Sequence, residues 1–181
     1  DFVFQGNKTN LLKEEDQCNP INYYGLSKLQ GEQEIQKIIE EHFIIRTSWL
    51  YSEFSNNFVK TMLRLGNEKD SLNVVNDQIG TPTYAVDLAK FIINLIKTES
   101  LKYGVYHYSN EGLSSWYDFA KTIFEYTNNQ IAINPVASTE FITKAKRPSF
   151  SVLDKTKAKT NLNIEIKHWR DSLKECLNKI N

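Results

Sequence analysis

The sequence predicts an α/β fold with a mainly parallel sheet. Three observations carry this reading. Short runs rich in β-branched and aromatic residues alternate with segments of helical apolar spacing. The connections between them are mostly short. One run, Phe43-Ile44-Ile45-Arg46-Thr47, is nearly continuous in apolar and β-branched residues, the pattern of a strand covered on both faces.

Taken in order, Asp1-Phe2-Val3-Phe4 reads as the end of a buried strand, and a chain that opens inside a strand is expected to have sequence upstream. A polar, turn-rich stretch follows from about Gly6 to Asn19. Pro20-Ile21-Asn22 then leads into a helix running to about Glu41. After the strand at 43–47, a helix is expected from Asn57 to about Leu65, and Leu72-Asn73-Val74-Val75 is a short strand. Ala85 to Lys97 is the clearest helix, with Ala85, Leu88, Ala89, Ile92, Leu95 and Ile96 on one face. Val105 to Ser109 is a further strand. Ser115 and Asp118 have the spacing of a capping box. They open a helix that should bury Trp116, Phe119, Ala120, Ile123 and Phe124. Trp169, Leu173, Cys176, Leu177 and Ile180 mark a terminal helix. In parallel sheets of this kind ligands lie beyond the carboxyl ends of the strands. The loops after Phe4, Thr47, Val75 and Ser109 are therefore the candidate site.

Composition narrows the function classes. A chain of 181 residues with 40% hydrophobic residues can build one core. Its 22 basic and 22 acidic residues cancel, which leaves no electrostatic case for a nucleic-acid partner or an anionic membrane surface. No apolar run approaches the length of a bilayer span. Cys18 and Cys176 are too few and too far apart for a disulfide framework or a zinc site, and are expected as free thiols in a reducing cytoplasm. His42, His107 and His168 lack metal-ligand spacing and are expected to be structural or exposed.

The spacing with chemical content is Tyr24-Gly25-Leu26-Ser27-Lys28. A tyrosine and a lysine four apart on a helix share a face. An ammonium beside a phenol favours the phenolate, so such a pair can protonate an alkoxide or take an alcohol proton near neutral pH. Spacing alone does not decide. With nine tyrosines in a lysine-rich chain, roughly one such pair arises by chance. A second pair, Tyr117 and Lys121, lies within the capped helix and reads as surface decoration. Context singles out Tyr24, at a helix start after a turn-rich loop that follows a buried strand.

Asp1-Phe2-Val3-Phe4-Gln5-Gly6, followed by Asn22-Tyr23-Tyr24-Gly25-Leu26-Ser27-Lys28-Leu29-Gln30-Gly31-Glu32, resembles the extended short-chain dehydrogenase/reductase family. Four later blocks are similar to the dTDP-4-dehydrorhamnose reductase family within it. They are Arg46 to Tyr51, Asn57 to Leu63, Asp77 to Thr83 with Asp87-Leu88-Ala89, and Arg147 to Leu153, all in the family's order. The resemblance implies an incomplete Rossmann-like unit, residues 1–181, interleaved with a small C-terminal substrate-binding lobe over about 130–181. It implies reduction of the 4-keto group of dTDP-6-deoxy-L-lyxo-4-hexulose to dTDP-L-rhamnose with NADPH or NADH.

By the same resemblance Tyr24 is the proton donor, and Lys28 holds the nicotinamide ribose and tunes the tyrosine. The family's threonine, which completes the catalytic set, would stand just before Asp1. Asp1 matches a substrate-contacting position, and Trp49 an aromatic that packs on the sugar; a tryptophan after a parallel strand can instead be core, but the strand-end position favours the site. Asn57 could contact the sugar diphosphate or serve as a helix N-cap. Arg147, before a proline in a loop, suits bidentate phosphate binding or is an idle surface arginine. The 78–83 loop would shape the site without taking part in chemistry.

Family members can hold Mg2+ at a dimer contact, for which no ligands are assigned here. The seven glycines include no glycine-rich cofactor loop. The expectation is that about the first third of the enzyme lies outside this chain. The chain alone should then be inactive, with an open sheet edge that either invites a homodimer or edge-strand self-association or leaves it only marginally stable. The rival readings are a nucleotide-sugar epimerase or dehydratase, and a regulatory subunit resembling that of methionine adenosyltransferase.

Overall fold

The computed structural model describes residues 1–6, 9–141 and 146–180. Its elements run α1 (Tyr23–Ile38), β1 (Phe43–Arg46), β2 (Leu50–Tyr51), α2 (Phe58–Glu68), β3 (Ser71–Val75), β4 (Ile79–Gly80), β5 (Thr83–Tyr84), α3 (Ala85–Lys97), β6 (Gly104–His107), β7 (Ser114–Ser115), α4 (Trp116–Tyr126), β8 (Ala132–Val136), α5 (Thr156–Leu162) and α6 (Trp169–Ile180). The α/β class holds. Among the described residues the strands form four two-stranded ladders. Three are parallel, β1 with β6, β2 with β5 and β3 with β8, and β4 with β7 is antiparallel.

Helix starts follow the polar residues that precede them. Asn22 caps α1 by accepting from the Gly25 N–H at 2.8 Å. Asn57 caps α2. Ser115 and Asp118 form the capping box of α4 in both directions. The largest core cluster joins Tyr51, Val59, Leu72, Tyr84, Phe119, Ile123, Trp169 and Leu173, so β-strand ends, α2, α4 and α6 share one interior. A smaller cluster holds Val3, Phe4, Leu12 and Leu153, and a third holds Phe91, Leu95 and Tyr108.

Several expectations are corrected. Asp1 to Phe4 is a turn closed by the Phe4 N–H on the Asp1 carbonyl at 3.1 Å, not a strand, although Val3 and Phe4 are buried as expected. β1 ends at Arg46. It alternates, with Ile44 and Arg46 buried and Phe43 and Ile45 only partly so, and is not covered evenly on both faces. α1 ends at Ile38, three residues short of Glu41. On α3 the buried line is Asp87, Phe91 and Leu95, while Ala89, Ile92 and Ile96 are exposed. The strand expected at 105–109 is shifted to Gly104–His107. The two-residue strands, β8 and α5 were not expected; two-residue strands have no periodicity to read.

Candidate active site

Tyr24 sits in the first turn of α1, 58% exposed. The Phe2 ring meets it edge-on at 5.3 Å between centroids, and the Lys28 Nζ lies 5.4 Å from the centre of its ring. The pair that the spacing placed on one face is therefore together in space and open to a ligand. Gly25 permits this arrangement. A Cβ there would stand 2.1 Å from the Phe2 carbonyl oxygen and 3.0 Å from the Pro20 Cβ. Only a glycine lets the helix approach the Asp1–Phe4 turn so closely.

Two contacts join this helix start to the rest of the candidate site. The Asn22 side chain, besides capping α1, donates to the Lys146 carbonyl at 2.8 Å. This brings the segment carrying Arg147 beside Tyr24's helix. The Gly6 carbonyl accepts from the Phe150 N–H at 3.1 Å and the Ser149 hydroxyl at 2.8 Å. The same 146–150 segment is thus fastened to the opening turn. Between them lies a groove of about 510 Å³ whose lining includes Gln5, Gly6, Ile21, Gln78, Lys146 and Arg147. Asp1 is placed at its own end of β1, where its nitrogen donates to the Thr47 carbonyl at 2.8 Å.

Trp49 follows β1 in the loop that begins at Thr47. Its indole lies parallel to that of Trp116, with centroids 3.6 Å apart and planes 7° from parallel. Phe58 is 4.7 Å from the Trp116 ring, and the Arg147 guanidinium carbon is 6.0 Å from it. Trp49 and Arg147 thus meet through a residue that sequence reasoning placed only on a buried helix face. Trp116 stands directly after an N-cap, and this position was the signal available for it. Asn57 is committed locally. Its Oδ1 accepts from the Lys60 N–H at 3.3 Å, and its amide donates to the carbonyls of Ser52, Phe54 and Ser55. Of the two readings of Asn57, the cap is the one its contacts display. The 78–83 loop packs under Trp49, with the Ser48 hydroxyl on the Thr81 carbonyl at 2.8 Å.

Behind α1, Arg46 makes bidentate bonds to Glu32, the shortest at 2.7 Å, and its guanidinium lies 5.2 Å from the Phe4 ring. Burial works against the Arg46 charge, but the bonds to Glu32 outweigh it and hold its pKa above the ordinary value. Glu32 lies one turn beyond Lys28 on the same helix. His107 is fully buried beneath this layer, its Nδ1 3.0 Å from the Leu12 carbonyl. Burial, then the Arg46 charge, lowers its pKa to about 3, so it is neutral. Cys18 and Cys176 are both free, and burial pushes the Cys176 thiol up to about 12. Among the described residues no three His, Cys, Asp or Glu side chains gather as a metal site. No helix there is long and apolar enough to cross a membrane.

A family model described as the RmlD substrate binding domain matches residues 1–181. The chain belongs to the RmlD substrate-binding domain family. This RmlD-type chain is 42% identical over 184 residues to a dTDP-4-dehydrorhamnose reductase of Aggregatibacter actinomycetemcomitans, covering 96% of the chain and 63% of the relative. It is 43% identical over 177 residues to the spore coat polysaccharide biosynthesis protein SpsK of Bacillus subtilis, covering 98% and 61%. Among solved structures, the dTDP-4-dehydrorhamnose reductase of Bacillus anthracis in complex with NADP superposes with a TM-score of 0.93 at 42% identity, covering 99% of the chain and 63% of that structure. A dTDP-4-dehydrorhamnose reductase of Clostridium acetobutylicum gives 0.94 at 40%, with the same coverage. A UDP-glucuronic acid 4-epimerase of Bacillus cereus shares the fold, at 19% identity and a TM-score of 0.81 over 99% of the chain and 58% of that structure. The RmlD-type chain spans less than two thirds of the length of these relatives.

Proposed function

We propose that this chain is the C-terminal, substrate-binding part of an oxidoreductase that reduces the 4-keto group of dTDP-6-deoxy-L-lyxo-4-hexulose to dTDP-L-rhamnose, using NADPH or NADH. The observation that carries the reading is the Tyr24–Lys28 pair, exposed at the start of α1 with the ammonium beside the phenol ring. A bound reduced nicotinamide would supply the hydride, which adds to the carbonyl carbon. Tyr24 donates its phenolic proton to the carbonyl oxygen as the C=O π bond becomes an O–H bond. Lys28 stabilises the phenolate left behind and offers N–H donors to a ribose hydroxyl. The residues present fit the ribose end of such a cofactor: Lys28 is exposed, and its ammonium stands beside the exposed Tyr24 ring, 5.4 Å from its centre.

Asp1 and Trp49 are assigned to the sugar, and Arg147, exposed at the groove, to the diphosphate. Asn57 is assigned to shaping the loop before α2, which its hydrogen bonds support, with any substrate contact passing through that loop.

The test is steady-state kinetics of the full-length reductase with Tyr24→Phe. The expected result is a fall in kcat of about 10²–10⁴-fold, with KM for NADPH and for the sugar within a few-fold of wild type. A kcat within twofold of wild type would remove Tyr24 as the proton donor.

A further inference from the structure

Trp49 is held at φ +44°, a region that a bulky L-residue enters only when its surroundings force it. The surroundings here are specific. The Thr83 N–H binds the Trp49 carbonyl at 3.1 Å, and Ser48 is tied to Thr81. At Gly80 a Cβ would come 2.4 Å from the Trp49 Cε2, so the loop is shaped to the indole. Against the indole lies Trp116, its plane nearly parallel and its ring centroid 3.6 Å away. Aromatic pairs left to themselves favour offset or edge-on geometry, so this face-to-face stack is another imposed arrangement. Trp116 is a fixed support. It opens α4 directly after the N-cap Ser115, within the Ser115–Asp118 capping box, and Phe58 packs on it at 4.7 Å. Neither tryptophan is fully buried, and Trp116 packs on the margin of the main core, which leaves the pair at the core's edge.

We propose that Trp116 is a positioning residue for sugar binding: it sets the plane of the Trp49 indole against which the sugar ring packs. It touches neither the cofactor nor the reacting atoms. The inference rests on the reading that Trp49 meets the sugar.

The experiment uses full-length reductase carrying Trp116→Ala, Trp116→Phe or Trp49→Ala, with the 4-keto dTDP-sugar and NADPH. Trp116→Ala should raise KM for the sugar about tenfold or more, the order expected when a stacking contact is lost. Its kcat and KM for NADPH should stay within about twofold, a split that general loss of structure would not produce. Trp116→Phe, which keeps a flat ring, should restore most of the sugar affinity. Both Trp116 variants should lose the circular-dichroism couplet of two parallel indoles. An unchanged sugar KM in Trp116→Ala, with the couplet gone and Trp49→Ala impaired, would overturn the positioning role alone. An unchanged sugar KM in Trp49→Ala would overturn the sugar-packing reading, and the proposal with it. Parallel losses of kcat, both KM values and melting temperature in Trp116→Ala and Trp116→Phe would show a purely structural residue and also overturn it.

Discussion

At the scale of single residues, His107 shows how burial becomes a pH dependence. In the folded chain its pKa is lowered to about 3, first by burial and then by the Arg46 charge, against an ordinary value of 6.5. Over that window the unfolded state binds a proton that the folded state refuses. Stability is therefore lost as pH falls from 6.5 toward 3, by up to about 1.4 kcal/mol per pH unit from this group. Replacing His107 by Gln should flatten the fall of the melting midpoint between pH 6.5 and 4 relative to wild type. Identical slopes for the two proteins would mean that His107 titrates normally in the fold. The sequence listed three histidines without metal spacing, and nothing local distinguished this one. Its neighbours Leu12, Glu14 and Phe4 come from about a hundred residues away.

Between elements, the Glu32–Arg46 pair fixes α1 onto β1. The side chains are 8% and 11% exposed, so both charges have left water and each depends on the other. Glu32→Ala would strand the guanidinium and should cost about 3 kcal/mol in urea unfolding, whereas a Glu32→Leu, Arg46→Met double variant should recover most of that. A loss below about 1 kcal/mol in the single variant would show that water reaches Arg46 freely. The helix itself was legible from Asn22 onward, because an N-cap and its helix are neighbours in sequence. Its partner was not, since Glu32 and Arg46 belong to different elements and no periodicity connects them.

For the whole molecule, the main core is closed by polar as well as apolar contacts. The Asn110 amide donates to Asp87 and to the Ser172 hydroxyl, each at 2.9 Å, while its oxygen accepts from the Tyr84 N–H at 2.8 Å. This single buried side chain ties β5, α3 and α6 together. Other surfaces are left apolar. Ile93 and Ile96 of α3 are 51% and 72% exposed, and Ile38 at the end of α1 is 77% exposed. Among the described residues β1 is laddered to β6 alone. An open strand edge and exposed isoleucines on α1 and α3 both favour association. The 181-residue chain should therefore elute from size exclusion with light scattering above its monomer mass in the micromolar range. Paired Ile93→Lys and Ile96→Lys substitutions should shift it toward monomer. A monodisperse wild-type monomer at the same concentrations would contradict this.

What the sequence determined by itself is what depends on neighbours along the chain. The α/β class, the capped starts of α1, α2 and α4, and the Tyr24–Lys28 face all follow from spacings of a few residues. The family resemblance came from several motifs in fixed order. The tertiary structure decided what depends on distant segments meeting. It turned the Asp1–Phe4 run into a turn that buries Val3 and Phe4, and Tyr24's helix packs against it through Gly25. It exposed Ile92 and Ile96, because the core meets α3 along Asp87, Phe91 and Leu95. It also joined Trp49 to Trp116 across 67 positions of chain, a contact that only closure of the core around both loops could specify.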